Sequence, residues 1–133
     1  MSEQVNTADG QDEIQHMDYI YMVNDDKLMI RMNAELDHHL AEEMRQVIDD
    51  VIDKRGVTHI VFDFTKVDFM DSAGIGLLMG RYRKIKEIGG EIYVSNIGQG
   101  VQRIFRMSGL FKILKTSREM DCFVNEGGQN EQI

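Results

Sequence analysis

A serine and three glycines open a helical pattern near the middle of the chain. Ser72 follows Asp71, and Gly74, Gly76 and Gly80 fall where an amphipathic helix begins. Each interior glycine weakens a helix by roughly 0.5–1 kcal/mol relative to alanine, so helix stability alone does not explain this choice. Asp71 is a natural N-cap, which places the serine hydroxyl in the first turn, beside unpaired backbone N–H groups. The fold would tolerate a phosphate there, so the pattern favours Ser72 as a phosphoryl acceptor.

Two enzymatic interpretations use the same residues. The glycines are one residue away from the dinucleotide-binding pattern Gly-x-Gly-x-x-Gly, but no acid follows the next strand where a ribose would need one. The glycines also lack the Lys-Ser/Thr pair of a phosphate loop, and Ser72 does not lie in Gly-x-Ser-x-Gly. The sequence aims none of the four histidines at this serine: His16, His38, His39 and His59. A nucleotide-binding protein or an esterase is therefore kept only as an alternative.

The paired histidines His38 and His39 follow Asp37 and raise the question of a metal. No cysteine or third ligand comes at a useful spacing. Asp37 is better explained as the N-cap or a hydrogen-bond acceptor at the start of a helix. We expect neither a metal nor a cofactor.

Helical spacing divides the residues after Ser72 between two faces. The predicted inward stripe consists of Ile75, Leu78, Tyr82 and Ile85. The predicted outward face consists of Gly76, Leu77, Gly80 and Lys84. Two missing side chains beside one exposed leucine would let another backbone come close. We therefore expect a contact surface with a modifiable hydroxyl at its edge.

The elements that must position this surface alternate along the chain. The patterns predict a hairpin of "YIYMV" and "KLMIRM", a helix from "ELDHH" to Gly56, and a central strand "THIVFDF". They then predict a helix over residues 73–88, a strand "EIYVSNI", a short helix ended by Gly109, a strand "LFKIL" and a last helix through Phe123. This order implies an α/β fold: a mixed, mainly parallel sheet of four to five strands with about four helices packed on it.

Composition narrows the class of protein. The chain has 133 residues and one cysteine, Cys122, which suits a single domain in a reducing compartment. No apolar run approaches the ~20 residues that span a bilayer, and the acidic N-terminus does not resemble a signal peptide. We therefore expect a cytoplasmic protein without a membrane partner. Residues 1–16 and 127–133 are predicted to be disordered tails around a domain at 17–126.

Charge is distributed unevenly. The net charge of −8 argues against direct binding of nucleic acid. Residues 1–68 carry 16 acids and 6 bases, whereas residues 69–133 carry 7 acids and 9 bases. The basic part is either a solvated face or a surface complementary to an acidic protein partner.

Three motifs together resemble a known family. "ELDHH", "DSAGIG" and "MSGL", within the longer stretches "GRYRKIKEIGG" and "RIFRMSGLFKI", are similar to the STAS domain of bacterial anti-sigma factor antagonists. The similarity is greatest to the sporulation group that acts on sigma factor F, and it covers the chain from about residue 17 to residue 126. The resemblance implies the STAS fold and a protein that switches between binding partners without catalysis of its own.

The resemblance also implies partners and roles. An anti-sigma factor, a serine kinase with bound ATP or ADP, would phosphorylate Ser72, and a PP2C-type phosphatase would reset it. The unphosphorylated monomer would bind that kinase and release the sigma factor. Ala73 stands where the sporulation protein has a second serine, which leaves one acceptor. A STAS-type regulator of a stress-response complex is the alternative within the family. The residues expected to bind the partner are Asp37, Asp71, Ser72, Ala73, Gly74, Gly76, Leu77, Gly80 and Lys84.

Overall fold

The computed structural model describes residues 4–8, 11–15 and 18–116, and it contains one mixed sheet. Its seven strands are β1 (Gln4–Ala8), β2 (Gln11–Gln15), β3 (Tyr19–Asn24), β4 (Lys27–Met32), β5 (His59–Asp63), β6 (Glu91–Ser95) and β7 (Lys115–Thr116). The spatial order of the strands is their order in the chain. Strands β1 to β4 pair antiparallel, and β4 to β7 pair parallel. The predicted α/β class and mixed sheet are confirmed, but the described sheet has seven strands where four to five were predicted, and it is not mainly parallel, since three of its six pairings are antiparallel.

Three α-helices accompany the sheet in the described part of the chain: α1 (His38–Arg55), α2 (Ser72–Glu87) and α3 (Gln99–Ser108). Gly56 and Gly109 end α1 and α3 in the left-handed conformation that glycine adopts without strain. The three helices share one hydrophobic core with β3, β4, β5 and β6. The fourth predicted helix, through Phe123, and the boundaries of the domain at residues 17 and 126 lie outside the described residues.

Two expectations differ from the structure. Part of the segment predicted to be a disordered tail, residues 1–16, forms β1 and β2, with β2 paired to β3. Without that pairing the backbone N–H and C=O groups along one side of β3 would face water as an edge. The predicted strand "LFKIL" is instead a 3₁₀ turn at Leu110–Lys112, followed by β7. Leu110 and Leu114 are buried, whereas Lys112, which would share their face in a strand, is exposed; this pattern fits helical spacing and not the alternation of a strand.

A polar cluster around one buried aspartate joins the carboxyl ends of three strands. The Asp63 side chain is 0% exposed and accepts from Arg31 Nε at 2.8 Å and from Asn96 Nδ2 at 3.0 Å. It also accepts from Thr65 N at 3.0 Å and Thr65 Oγ1 at 2.6 Å. These contacts tie the ends of β4 and β6 to the beginning of the loop that leads from β5 to α2, so they fix the base of the predicted contact surface.

Candidate functional site

The amino ends of α1 and α2 are joined by their preceding backbone. Leu36 and Met70 form an isolated parallel bridge. Leu36 N donates to Phe69 O at 3.1 Å, and Asp71 N donates to Leu36 O at 3.3 Å. Asp37 and Asp71, which follow the bridge on each segment, are the two helix N-caps. The structure therefore brings the predicted residues Asp37, Asp71 and Ser72 to the carboxyl edge of the sheet.

Ser72 is the first residue of α2 and is exposed. Asp71 Oδ1 accepts from Ala73 N at 2.9 Å and from Gly74 N at 3.2 Å, so the predicted N-cap is confirmed. These two amides are already occupied, and a phosphate on Ser72 would find the Asp71 carboxylate beside it. The positive end of the α2 dipole offsets this repulsion. Solvent exposure would thus be the main reason for the fold to tolerate a phosphate here.

Asp37 is the N-cap of α1, as Asp71 is the N-cap of α2. Its Oδ1 accepts from Leu40 N at 3.0 Å. This hydrogen bond is the largest cause that lowers the pKa of Asp37. Desolvation of the carboxylate acts in the opposite direction, and the nearby His39 and His38 lower the pKa further. Because the folded pKa is lowered, the ionised carboxylate stabilises the fold above the pKa of the unfolded chain. That contribution is lost as the pH falls through the folded value, so Asp37 is a carboxylate near neutrality.

The three glycines of α2 have two different roles. A Cβ on Gly74 would lie 2.8 Å from Leu36 O, closer than real Cβ atoms come, and 3.0 Å from Met70 Cβ, which is also tight. A Cβ on Gly76 or Gly80 would meet nothing within 4 Å. Gly74 therefore lets α2 approach the Leu36–Met70 bridge, whereas Gly76 and Gly80 face open space, as the spacing predicts for an outward pair.

Alanine substitutions should separate these roles. We expect Gly74→Ala to lower the free energy of unfolding by about 1–2 kcal/mol, because overpacking exceeds the gain in helix propensity. Gly80→Ala should instead raise it by about 0.5–1 kcal/mol, since no atom must move. Urea unfolding at constant m-value measures both. Two shifts of the same sign would contradict the assignment.

Leu77 corrects the predicted outward face. It is 4% exposed and belongs to the core. The prediction assumed that α2 packs only on the sheet, but α2 also packs along α1, so it buries a second stripe. Leu78 and Ile85 are buried as predicted, whereas Ile75 and Tyr82 are only partly buried.

A groove between α1 and α2 starts beside Ser72. From α1 and α2 it is lined by His38, Ala41, Glu42, Arg45, Ala73, Gly76, Leu77 and Arg81. Arg81 Nε lies 3.1 Å from Asp49 Oδ1 without hydrogen-bond alignment, so the contact is an ion pair only. Burial lowers the pKa of Arg81, and Asp49 opposes that shift. Lys84 Nζ lies 3.5 Å from Asp53 Oδ1, which ties this predicted partner residue to α1.

Sequence reasoning missed Arg81 of α2 as a groove residue, and likewise Ala41, Glu42 and Arg45 of α1. Arg83, two residues after Arg81, is exposed, and its residue type gives no reason to distinguish it from Arg81. Helical spacing relative to Leu77, four residues earlier, would have placed Arg81 beside α1 once the second buried stripe of α2 was known.

The structure separates His59 from Ser72, whereas it places His38 in the groove that Ala73 also lines. His59 begins β5 and its Nδ1 lies 2.9 Å from Thr58 Oγ1, whereas Ser72 follows the opposite end of that strand. Within residues 18–116 no group of three His, Cys, Asp or Glu side chains could hold a metal ion. No helix in the described part of the chain is both long and apolar enough to cross a bilayer.

The sequence model of the STAS domain matches residues 19–121. The chain belongs to the STAS domain family. It is 42% identical over 87 residues to an anti-sigma F factor antagonist of Paenibacillus polymyxa, a match that covers 65% of this chain and 74% of that protein. The predicted family resemblance is therefore confirmed.

Two solved structures of SpoIIAA share the fold of this chain. The anti-sigma factor antagonist SpoIIAA in its unphosphorylated form is 25% identical, with a TM-score of 0.62 and coverage of 96% of this chain and 100% of that chain. The Bacillus cell fate determinant SpoIIAA in its phosphorylated form is 28% identical, with a TM-score of 0.62 and coverage of 92% and 97%. The STAS fold of this chain is thus found in a protein that exists both with and without phosphate.

Proposed function

We propose that this STAS domain is an anti-sigma factor antagonist whose binding is switched by phosphorylation of Ser72. One observation carries the assignment: an exposed serine begins α2 immediately after the N-cap Asp71, in a chain similar to anti-sigma F factor antagonists. The unphosphorylated form binds an anti-sigma factor, a serine kinase with bound nucleotide, and thereby releases the sigma factor. A PP2C-type phosphatase restores that form. The domain acts in the cytoplasm and has no catalytic activity of its own.

The proposed binding surface surrounds Ser72. Asp37 and Asp71 lie at its rim as helix N-caps, and Ala73 and Gly76 line the adjoining groove. Gly76 and Gly80 leave room for the backbone of the partner. Leu77 is buried and contributes only to the wall of the groove, and Gly74 supports the surface from inside. Lys84 contributes by holding α2 against α1 through Asp53.

A cognate anti-sigma kinase with ATP should incorporate one phosphate per chain, on Ser72. Ser72→Ala should abolish incorporation, because the accessible hydroxyl at the start of α2 is removed while the cap Asp71 stays. Intact-mass spectrometry and phosphopeptide mapping make the measurement. Ser108→Ala, which removes a half-buried hydroxyl at the other end of the next helix, is the matched control and should be phosphorylated normally. A phosphate mapped to Ser95 or Ser108 would refute the assignment.

A further inference from the structure

Helix α3 has an outward face that the proposed switch at Ser72 does not use. Val101 and Phe105 anchor the opposite side of the helix in the core. Arg103, Arg106 and Met107 project from the outward side at spacings of three and four residues. Met107 is 81% exposed, the highest value among the large apolar side chains that the structure describes as exposed. An exposed methionine beside two arginines has the composition of a protein-binding surface, because both residue types are enriched at interfaces.

The charges on this face lack the partners that other cations of the protein have. Arg45, Lys54 and Lys115 pair with Glu42, Asp50 and Glu91 respectively. Within residues 18–116 neither arginine of α3 forms an ion pair. No aspartate or glutamate occurs between residues 92 and 118, so α3 carries no acid of its own that could neutralise these arginines. On a chain of net charge −8, the α3 face is therefore a local positive patch whose attraction is directed outward.

The same helix touches the loop that leads to Ser72. A Cβ on Gly100, in the first turn of α3, would lie 2.9 Å from Asp68 O. Phe69, the next residue of that loop, is 48% exposed. The α3 face therefore borders the segment that ends at the Asp71 cap, and one partner can reach both.

We propose that the α3 face, consisting of Arg103, Arg106 and Met107, binds an acidic surface of the anti-sigma factor, with Met107 entering an apolar pocket there. The inference rests on the proposed function and extends its contact area beyond α2. Charge complementarity selects a protein as the occupant. Two arginines on an acidic chain are too few for nucleic acid, and a polybasic membrane site has 4–8 cations. Mixed arginine and methionine contacts are enriched at protein interfaces.

Charge reversal tests the electrostatic part. The probe is the unphosphorylated protein titrated against the anti-sigma factor that phosphorylates Ser72, with ADP bound. Arg103→Glu should lower the association rate constant about fivefold to tenfold at low salt, and the loss should shrink in 0.5 M NaCl, roughly as expected for screened steering. The control Lys54→Glu makes the same charge change on an exposed cation of α1 and should alter the rate less than about twofold.

Met107→Ser tests the apolar part. It should raise the dissociation rate constant about tenfold, because a buried anchor at an interface acts mainly on dissociation. Circular dichroism and urea unfolding should show all three variants folded as the wild type, since the altered side chains are exposed.

The outcomes separate this inference from the proposed function. If the wild type binds the anti-sigma factor and both α3 variants bind as it does, the α3 contact is refuted and the switch at Ser72 stands. If the wild type binds no anti-sigma factor, both fall. If sedimentation shows a wild-type dimer that Arg103→Glu dissociates, the occupant is a second copy of the chain and the proposal is overturned.

Discussion

Phosphorylation of Ser72 should weaken binding to the nucleotide-loaded anti-sigma factor by more than about a hundredfold, which corresponds to about 3 kcal/mol. The phosphate brings a charge of roughly −1.5 to −2 to the rim of the contact surface. A kinase active site already holds anionic nucleotide, and like charges in a partly desolvated interface cost several kcal/mol. The neighbouring carboxylate of Asp71 adds to the negative charge on this side of the interface.

The fold itself should change little. Ser72 is exposed, and the amides of Ala73 and Gly74 stay bonded to Asp71, so the phosphate need not displace the cap. The amino end of α2 favours negative charge. The switch is then electrostatic and steric and does not depend on unfolding.

Isothermal titration of both forms against one anti-sigma factor measures the effect, with circular dichroism of each form as the structural control. Ser72→Asp should reproduce the loss only in part, because it has less charge and fewer acceptor oxygens. Ser72→Ala should bind like the unmodified protein, since it adds no charge. Equal affinities of the phosphorylated and free forms, or loss of the folded spectrum on phosphorylation, would show this mechanism to be wrong.

Asp63→Ala should lower the free energy of unfolding by about 3–5 kcal/mol, the range for removing one partner of a buried ion pair. Asp63 is fully buried, and its loss leaves the Arg31 guanidinium, itself 17% exposed, without this carboxylate. Thr65 and Asn96 lose their acceptor as well. The effect should reach the site, because the loop from β5 to α2 begins at this cluster.

Chemical denaturation measures the loss. Asp50→Ala is the matched control: it removes a carboxylate that lies 3.2 Å from Lys54 Nζ on the surface of α1 and should cost less than about 1 kcal/mol. The double variant Arg31→Met with Asp63→Ala should recover part of the loss, since no buried charge is left uncompensated. An Asp63→Ala protein as stable as the Asp50→Ala protein would mean that the cluster is not a stabilising element.

Much of this architecture follows from local patterns. Apolar runs bounded by glycine and polar turns predict β3 to β6. Asp37 and Asp71 predict the starts of α1 and α2, because capping is a short-range interaction. The position of Leu77 was not predictable in this way. Its burial depends on α1 packing along α2, a contact between segments about 30 residues apart in sequence. The ion pair of Arg81 with Asp49 has the same cause.

The site was predictable to a similar degree. Ser72, Asp71 and the open glycines Gly76 and Gly80 follow from helical spacing alone. The polar cluster around the buried Asp63 does not follow from local spacing. Arg31 and Asn96 are 32 and 33 residues away from Asp63 in sequence, and strand register brings them together. The strands β1 and β2 were missed for a related reason: their pairing depends on the exposed edge of β3 and not on hydrophobic content.

The chain-order arrangement of the strands has a consequence for how the protein folds. Strands that are neighbours in the described sheet are also neighbours in sequence. No strand has to be inserted between two strands that have already paired. Each strand can therefore pair with the one before it, in the order in which the chain is made. Such a sheet can grow from one edge while the ribosome is still adding residues. The segment that carries Ser72 is made after β5 and before β6. It can therefore reach its position against α1 before β6, α3 and β7 have been made.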